Sequence, residues 1–305
     1  MTRRLLIRIL LAIPTLLAVV CLTFFLMRLA PGGPFDREKA IPESIKRQLM
    51  AQYQLDGPIG TQLYYYLKDV VRGDLRLSTK YRNRTVNEII SQTLPISATL
   101  GGLAFLLALS GGCFFGIWAA YTHNKPSDYI LMFLALLGIA LPSFVLGPLF
   151  ITFFSFWLGW LPVGGWGTVQ QLFLPALALS LPYMAYLARM VRVSMLETLN
   201  QDYIRTARAK GLPEWRVLYK HAFKNAALPV VSYSGPLAAN ILTGSLVVEE
   251  IFKIPGIGPF FVNGVLNRDV FVVGGITLVY SLLLIIFNLF VDIIYSSLDK
   301  RIKTA

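Results

Sequence analysis

The chain has 305 residues, 55% of them hydrophobic and only 14% charged, and its mean hydropathy is +0.61. Soluble domains place about a quarter of their residues in Asp, Glu, Lys and Arg, so one water-soluble globule is excluded, and the same apolar richness excludes disorder. The net charge of +12 is spread between apolar runs rather than gathered in one basic patch, which reads as membrane topology and not as nucleic-acid binding. Cys21 and Cys113 both sit inside apolar runs, so they read as packing residues and no disulfide scaffold is expected.

A bilayer core of about 30 Å takes about 20 apolar residues as a helix. Charge-free runs cover 9–27, 89–124, 129–188, 225–248 and 270–291, and the third is long enough for two spans joined at the Pro- and Gly-rich stretch 161–167. Six helical spans are therefore expected, at about 9–29, 95–121, 129–156, 172–194, 228–250 and 270–295. Arg3, Arg4 and Arg8 precede the first span and Lys125 lies between spans two and three. Eight further Lys and Arg residues fall between Arg189 and Lys224, and Lys300, Arg301 and Lys303 close the chain. The short loops on the other side carry only Lys253 and Arg268, so both termini are expected in the cytoplasm. The first span reads as an uncleaved anchor, being long for a signal-peptide core and followed by Pro31.

The chain divides into 1–29 (cytoplasmic tip and first span), 30–94 (an extracytoplasmic helical insertion) and 95–305 (a core of five spans). In the insertion, Leu63, Tyr66, Leu67, Val70 and Val71 recur with helical spacing, and Ile45, Leu49 and Tyr53 give a shorter pattern. Either a lid over helix ends or a docking surface for a soluble partner fits that periodicity. In span two, Ala104, Ala108, Gly112, Gly116 and Ala120 put a small residue at every fourth position, a packing stripe. Span five pairs Gly235, Ala239 and Thr243 with Ser232, Pro236, Asn240 and Gly244, which suits close packing or a water-lined path. Prolines at 14, 142, 148, 175, 182, 229 and 236 predict kinks.

The cytoplasmic segment 197–224 reads as two short helices joined by a tight turn. The first covers Asp202–Lys210, and Gly211 follows where a left-handed cap stops it. Pro213 is placed in the first turn of the second, whose apolar face is read as Trp215, Leu218, Tyr219, Ala222 and Phe223, with Arg216, Lys220 and Lys224 on another face, the pattern of an interfacial helix with its apolar face in the headgroups and its lysines snorkelling. Such a knuckle suits a socket on a cytoplasmic protein. No Walker A, HExxH or nucleophile-elbow motif occurs, and no Asp, Glu, Lys or Arg stands near the centre of a span. The chain reads as a pathway without its own motor; a secondary transporter or a non-transporting scaffold are the rival classes.

Residues Asp202–Pro229 resemble the cytoplasmic EAA loop of the peptide/nickel class of ABC importer permeases, with Arg205, Thr206 and Ala207 where E-A-A would fall and Gly211 at the motif's glycine. Arg28–Pro34, Glu249–Phe252, Pro255–Gly258 and Asn267–Asp269 are similar to other family signatures, while Arg76 stands where relatives commonly have glycine. The length and the long outer insertion are similar to one permease type of the oligopeptide importers. The resemblance implies an all-α integral membrane protein of the type I ABC importer permease fold in the bacterial cytoplasmic (inner) membrane. It implies a homologous second permease, two cytoplasmic ABC ATPase subunits that hold ATP and Mg, an extracytoplasmic peptide-binding protein, and oligopeptide, dipeptide, nickel chelate or another small solute as cargo. No cofactor, metal or nucleic acid is expected on this chain itself. The implied ATPase-coupling residues are Tyr203, Arg205, Thr206, Ala207, Ala209, Lys210, Gly211 and Leu212. The implied outer-loop signature is Glu249, Ile251, Phe252, Pro255, Gly256 and Gly258.

Overall fold

A computed structural model describes residues 2–29, 35, 42–81 and 83–298. The basic termini expected at Arg3, Arg4, Lys300, Arg301 and Lys303, and the Ala30–Pro34 part of the span-exit signature, lie outside the described residues or side chains. Among the described residues every regular element is a helix, and the single extended feature is an isolated antiparallel bridge between Leu77 and Thr85.

In chain order, α1 (Thr2–Leu29) is followed by α2 (Glu43–Gln52), α3 (Ile59–Val71) and α4 (Val86–Tyr121). Next come α5 (Pro126–Ala140) and α6 (Ser143–Phe150), which runs on as π-helical turns over Ile151–Trp157, and then α7 (Val169–Leu199). Short elements follow: α8 (Asp202–Ala209), α9 (Glu214–Arg216), a π-helical turn over Val217–Ala222 and α10 (Phe223–Ala226). The chain then forms α11 (Leu228–Ile251), α12 (Ile257–Asn267) and α13 (Val270–Leu298). Among the described residues five helices (α1, α4, α7, α11 and α13) are long and apolar enough to cross a membrane, and α5 with α6 makes a sixth if that bent pair is one span.

The main departure is the depth of one bend: kinks are expected at several prolines, and the one at Pro142 divides its span into two helices. Segment 129–156 is not one helix: α5 and α6 meet at 108°. Pro142 causes the break, because a proline disfavours helical backbone in the residue before it and offers no N–H to the ladder. Leu141 is accordingly extended, at φ −94° and ψ 118°. The other prolines do not interrupt their helices: Pro14, Pro148, Pro175, Pro182 and Pro236 lie inside continuous elements, and Pro229 stands at a helix start where its missing N–H costs nothing. The turn before α7 is capped by a reciprocal pair, with Thr168 Oγ1 accepting from the Gln171 N–H and Gln171 Oε1 accepting from the Thr168 N–H. Phe153, Phe156, Trp157, Trp160 and Trp166 are exposed around it, the composition of a membrane-interface belt.

The chain packs as two units, Met1–Ser97 with Ile254–Ile285, and Ala98–Lys253 with Ile286–Ala305. In the first, Tyr66 of α3 is the hub. Its ring stacks on Phe24 of α1 and tilts against Phe271 of α13, with centroids 5.7 Å apart in both pairs. Burial pushes the Tyr66 phenol up to about 12, Arg76 opposing that shift. The buried face of α3 is set by Gln62 and Tyr66, whereas Val71, expected on that face, is 85% exposed at the helix end. Gln62 is held inside because its amide bonds the Leu55 and Gly57 carbonyls and accepts from Arg28 Nη2 at 2.6 Å. Ile45 and Leu49 fall in α2, which buries no residue fully, and Tyr53 caps its C-terminal end.

Arg76 resolves the turn at 73–78. It takes the left-handed conformation (φ 68°) that glycine adopts freely, and its side chain supplies what glycine lacks. Nε bonds Asp69 Oδ2 at 2.7 Å, Nη2 bonds Gln54 Oε1 at 2.7 Å, and the guanidinium lies 5.3 Å from the Phe271 ring centre. The turn keeps its glycine geometry and gains an ionic anchor.

In the second unit, α7 packs against α5, α6 and α11. The small stripe of α4 is buried at Ala104, Ala108, Gly112, Gly116 and Ala120. A Cβ on Gly112 would sit 2.5 Å from Leu187 Cβ, and one on Gly116 would sit 2.6 Å from the Ala188 carbonyl oxygen. Gly138 of α5 approaches the same helix, its absent Cβ 3.0 Å from Ala185 Cβ. Without side chains at these points the α4 and α5 backbones come close to α7, which is where dispersion contacts hold membrane helices together.

Candidate functional site

The segment after α7 folds as a compact knuckle. Helix α8 ends at a Gly211 of φ 72°, with the Gly211 N–H on the Arg208 carbonyl and the Leu212 N–H on the Ala207 carbonyl. Arg208 then reaches across the turn to Glu214, bonding Oε1 at 2.7 Å and Oε2 at 3.3 Å, so the reversal is closed ionically as well as by its backbone. The far side is tied by Asn225 Nδ2, which donates to Tyr203 Oη at 2.8 Å.

Burial separates the residues expected to couple into two sets. Ala207 (6% exposed) is buried beside Ile204 (0%), a residue outside that expectation, and Leu212 is half-buried. Tyr203, Arg205, Thr206, Ala209, Lys210 and Gly211 are exposed, forming one polar surface on the knuckle. Pro213 lies one residue before the second helix as its cap, and Glu214 is the first helical residue. The apolar face expected there is divided, part of it turned into the chain and part left at the surface. Val217, Leu218, Ala222 and Ala226 are buried, while Trp215 and Tyr219 are 60% and 49% exposed. The cause is the π-helical turn over 217–222, whose extra residue per turn rotates the register away from the 3.6-residue pattern. Trp215 and Tyr219 stay outward beside Arg216, Lys220 and Lys224, a composition suited to a headgroup surface.

On α11 the small residues split. Gly235 and Ala239 are buried, and Gly235 faces Asn288 and Val291 of α13. Ser232, Pro236, Asn240 and Thr243 are exposed along one face. The Ser232 and Thr243 hydroxyls donate to carbonyls of their own helix, at Leu228 and at Ala239 and Asn240, so on this face it is the Asn240 amide that suits water or another protein rather than lipid. Next to it, the Tyr186 and Tyr233 rings lie 4.8 Å apart. By contrast, a cavity of about 340 Å³ between α4, α5, α6 and α7 is lined by Phe115, Leu134, Gly138, Leu146, Met184 and Ala188 and offers no such groups.

The outer-loop signature is divided between the two units. In the second, Glu249 and Phe252 are buried and Ile251 is half-buried; the Phe252 carbonyl accepts from the Gly165 N–H at 2.9 Å, and a Cβ on Gly164 would lie 2.1 Å from the same oxygen. In the first, Pro255 is exposed, Gly256 caps α12 and Gly258 is buried. Asp269 belongs to the first unit as well, fully buried, accepting from Ser78 Oγ at 2.5 Å and from the Lys80 and Val272 N–H groups. No group of three or more His, Cys, Asp or Glu placed to hold a metal is found among the described residues.

Sequence reading missed one constellation altogether. Asp128 in the first turn of α5 is 1% exposed and forms a two-pronged pair with Arg192 of α7, at 2.6 Å from Nε and 2.7 Å from Nη2. The Asn124 N–H also donates to it, and His123 Nδ1 lies 3.2 Å from Arg192 Nη2. Sixty-four positions separate the partners, and no local pattern pairs them.

Residues 112–304 match the family described as the inner membrane component of binding-protein-dependent transport systems. The chain belongs to that family. It is 47% identical over 294 residues to the oligopeptide transport system permease protein OppB of Salmonella typhimurium, covering 96% of each chain. Against the protein of that name from Haemophilus influenzae the identity is 44%, over 97% of each. The dipeptide transport system permease protein DppB of Bacillus subtilis is 43% identical over 95% of this chain and 94% of its own. As an inner membrane component the chain is a multi-pass membrane protein of a transport system, in keeping with its five or six apolar helices.

Proposed function

We propose that this chain is the permease subunit of an ATP-driven importer of oligopeptides, building half of the translocation pathway beside a homologous second permease. Two cytoplasmic ATPase subunits, holding ATP and Mg, would drive it, and an extracytoplasmic peptide-binding protein would deliver the cargo. The observation that carries the reading is identity above 40% along nearly the whole chain to oligopeptide permeases, together with an exposed knuckle at the end of a long membrane helix. Both termini and the knuckle lie in the cytoplasm on this reading, supported by the lysine and arginine excess of the loops on that side.

The mechanics follow from the placement of residues. The exposed surface of α8 (Tyr203, Arg205, Thr206, Ala209, Lys210) seats in a groove of the ATPase, and the Arg208–Glu214 pair keeps the two short helices from splaying under load. Only Asn200 and Gln201 lie between α8 and α7, so a displacement of α8 passes into α7 with little slack. The α7 helix carries α4, α5 and α6 by close packing and α11 by direct contact, so its movement shifts the exposed polar face of α11, with Ser232, Asn240 and Thr243, against the second permease and opens the route there.

The test is uptake by the purified assembly in proteoliposomes, with labelled dipeptide and pentapeptide as probes. Pentapeptide import that needs both ATP and the binding protein is the expected result. Import of dipeptide alone would move the substrate to the dipeptide class, and import driven by an ion gradient without ATPase subunits would refute the reading.

A further inference from the structure

We propose that Asp128 and Arg192, with His123 and Asn124 around them, form a clamp that makes α4, α5 and α7 respond to the coupling knuckle as one body. The inference rests on the importer reading above and assigns positioning residues within it. Three observations carry it. The first is geometry: Arg192 presents two nitrogens to the two carboxylate oxygens of Asp128, at 2.6 and 2.7 Å, a fork-to-fork arrangement that resists both sliding and rotation. The second is burial, since the Asp128 side chain is 1% exposed and Arg192 21%, so the pair is little screened and neither member is easily left alone. The third is position. Arg192 lies seven residues before the end of α7, about 10 Å along the axis from the point where α8 leaves. Asp128 opens α5, and the loop that ends α4 is bonded to it through the Asn124 N–H at 3.1 Å, with His123 3.5 Å away.

One carboxylate therefore joins the terminus of one helix, the start of the next and the flank of a third, at the end of the bundle that the knuckle pulls on. Further along, the three helices touch through Gly112, Gly116 and Gly138 against Leu187, Ala188, Val191 and Ala185. Glycine contacts of this kind transmit pressure but give little resistance to shear, because they contain no directional bond. The clamp supplies the directional bond. Without it, α7 would slide past its neighbours when α8 moves, and hydrolysis would proceed without opening the pathway.

The experiment uses the assembled transporter in proteoliposomes and reads ATP hydrolysed per peptide imported. Asp128→Asn and Arg192→Gln are expected to raise that ratio at least about fivefold, the lower end of coupling between distant sites, with assembly and binding-protein docking unchanged. Arg192→Lys keeps the charge but not the fork, and is expected to fall between wild type and Arg192→Gln. The reciprocal exchange Asp128→Arg with Arg192→Asp is expected to recover import relative to either of its single changes. An unchanged ratio in Asp128→Asn and Arg192→Gln would overturn the proposal. So would hydrolysis and import falling in parallel with no recovery in the exchange, since that is the signature of a residue that only helps the chain fold. Wild-type assembly that imports no peptide at all would instead overturn the importer reading, so the two failures are distinguishable.

Discussion

Gly211 allows a test in which backbone strain and partner contact give different answers. Its φ of 72° lies in the left-handed region, and no atom lies within 4 Å of where a Cβ would stand. Within this chain, then, a Cβ at 211 meets nothing, and the cost of alanine is conformational, about 1–2 kcal/mol, with more for a β-branched residue. Asparagine tolerates this region, so Gly211→Asn should cost least, then Gly211→Ala, then Gly211→Val. A loss of about 1.4 kcal/mol is a tenfold shift in the population of the closed turn, enough to unseat α8 while the membrane helices stay folded. The assay is amide exchange over 202–212 alongside peptide uptake in the assembled transporter. Valine should speed exchange there and uncouple ATPase stimulation from import, and asparagine should leave both close to wild type. If asparagine proves as damaging to uptake as valine while exchange stays slow, a partner surface packs directly on the glycine and the strain argument fails. Wild-type exchange and uptake in the valine variant would refute the role of the turn itself.

Three further outcomes are expected. Gly116→Ala puts a Cβ 2.6 Å from the Ala188 oxygen and should lower the thermal unfolding midpoint through overpacking worth about 1–3 kcal/mol; Gly102→Ala, on the same helix with nothing within 4 Å, should not lower it. Arg76→Gly relieves about 1–2 kcal/mol of left-handed strain but loses a charged hydrogen bond to Asp69 worth about 1.5–3 kcal/mol, the Gln54 bond and the Phe271 contact. Net destabilisation should appear as faster proteolysis of the 42–81 segment. The Tyr66 phenol, raised to about 12 in the folded chain against 10.0 ordinarily, holds its proton more tightly folded than unfolded. Stability should therefore decline as pH rises from about 10 towards 12, and Tyr66→Phe, which also removes a buried hydroxyl without a hydrogen bond, should flatten that decline in thermal unfolding scans.

What was legible in the sequence was what short-range physics writes there. Apolar runs long enough for a bilayer gave the positions of α1, α4, α7, α11 and α13, because lipid leaves the backbone no alternative to a helix. Gly211 could be read as a left-handed stop because few other residues take that conformation at low cost. The four-residue spacing on α4 likewise marks a face, and that face is buried. Where reading failed, a local rule was overridden. The π-helical turn at 217–222 defeated a 3.6-residue count and turned Trp215 and Tyr219 outward. Pro142 was read as one kink among several, yet it alone breaks its helix; the others lie inside continuous elements or at a helix start, where the missing N–H is tolerated.

The Asp128–Arg192 pair shows a different kind of blindness. A carboxylate in the first turn of a helix is already explained locally, as a complement to the helix dipole, and an arginine near the end of a membrane helix is already explained as part of the cytoplasmic basic excess. Each residue thus satisfies a short-range rule that hides its long-range partner. Only the close approach of α4 and α5 to α7, permitted by Gly112, Gly116 and Gly138, brings the two charges to 2.6 Å. The glycines are therefore a precondition of the ion pair as well as a packing surface. A bulky residue at Gly138 should weaken coupling by the same route as Asp128→Asn, because a helix held away from α7 cannot carry its carboxylate to Arg192.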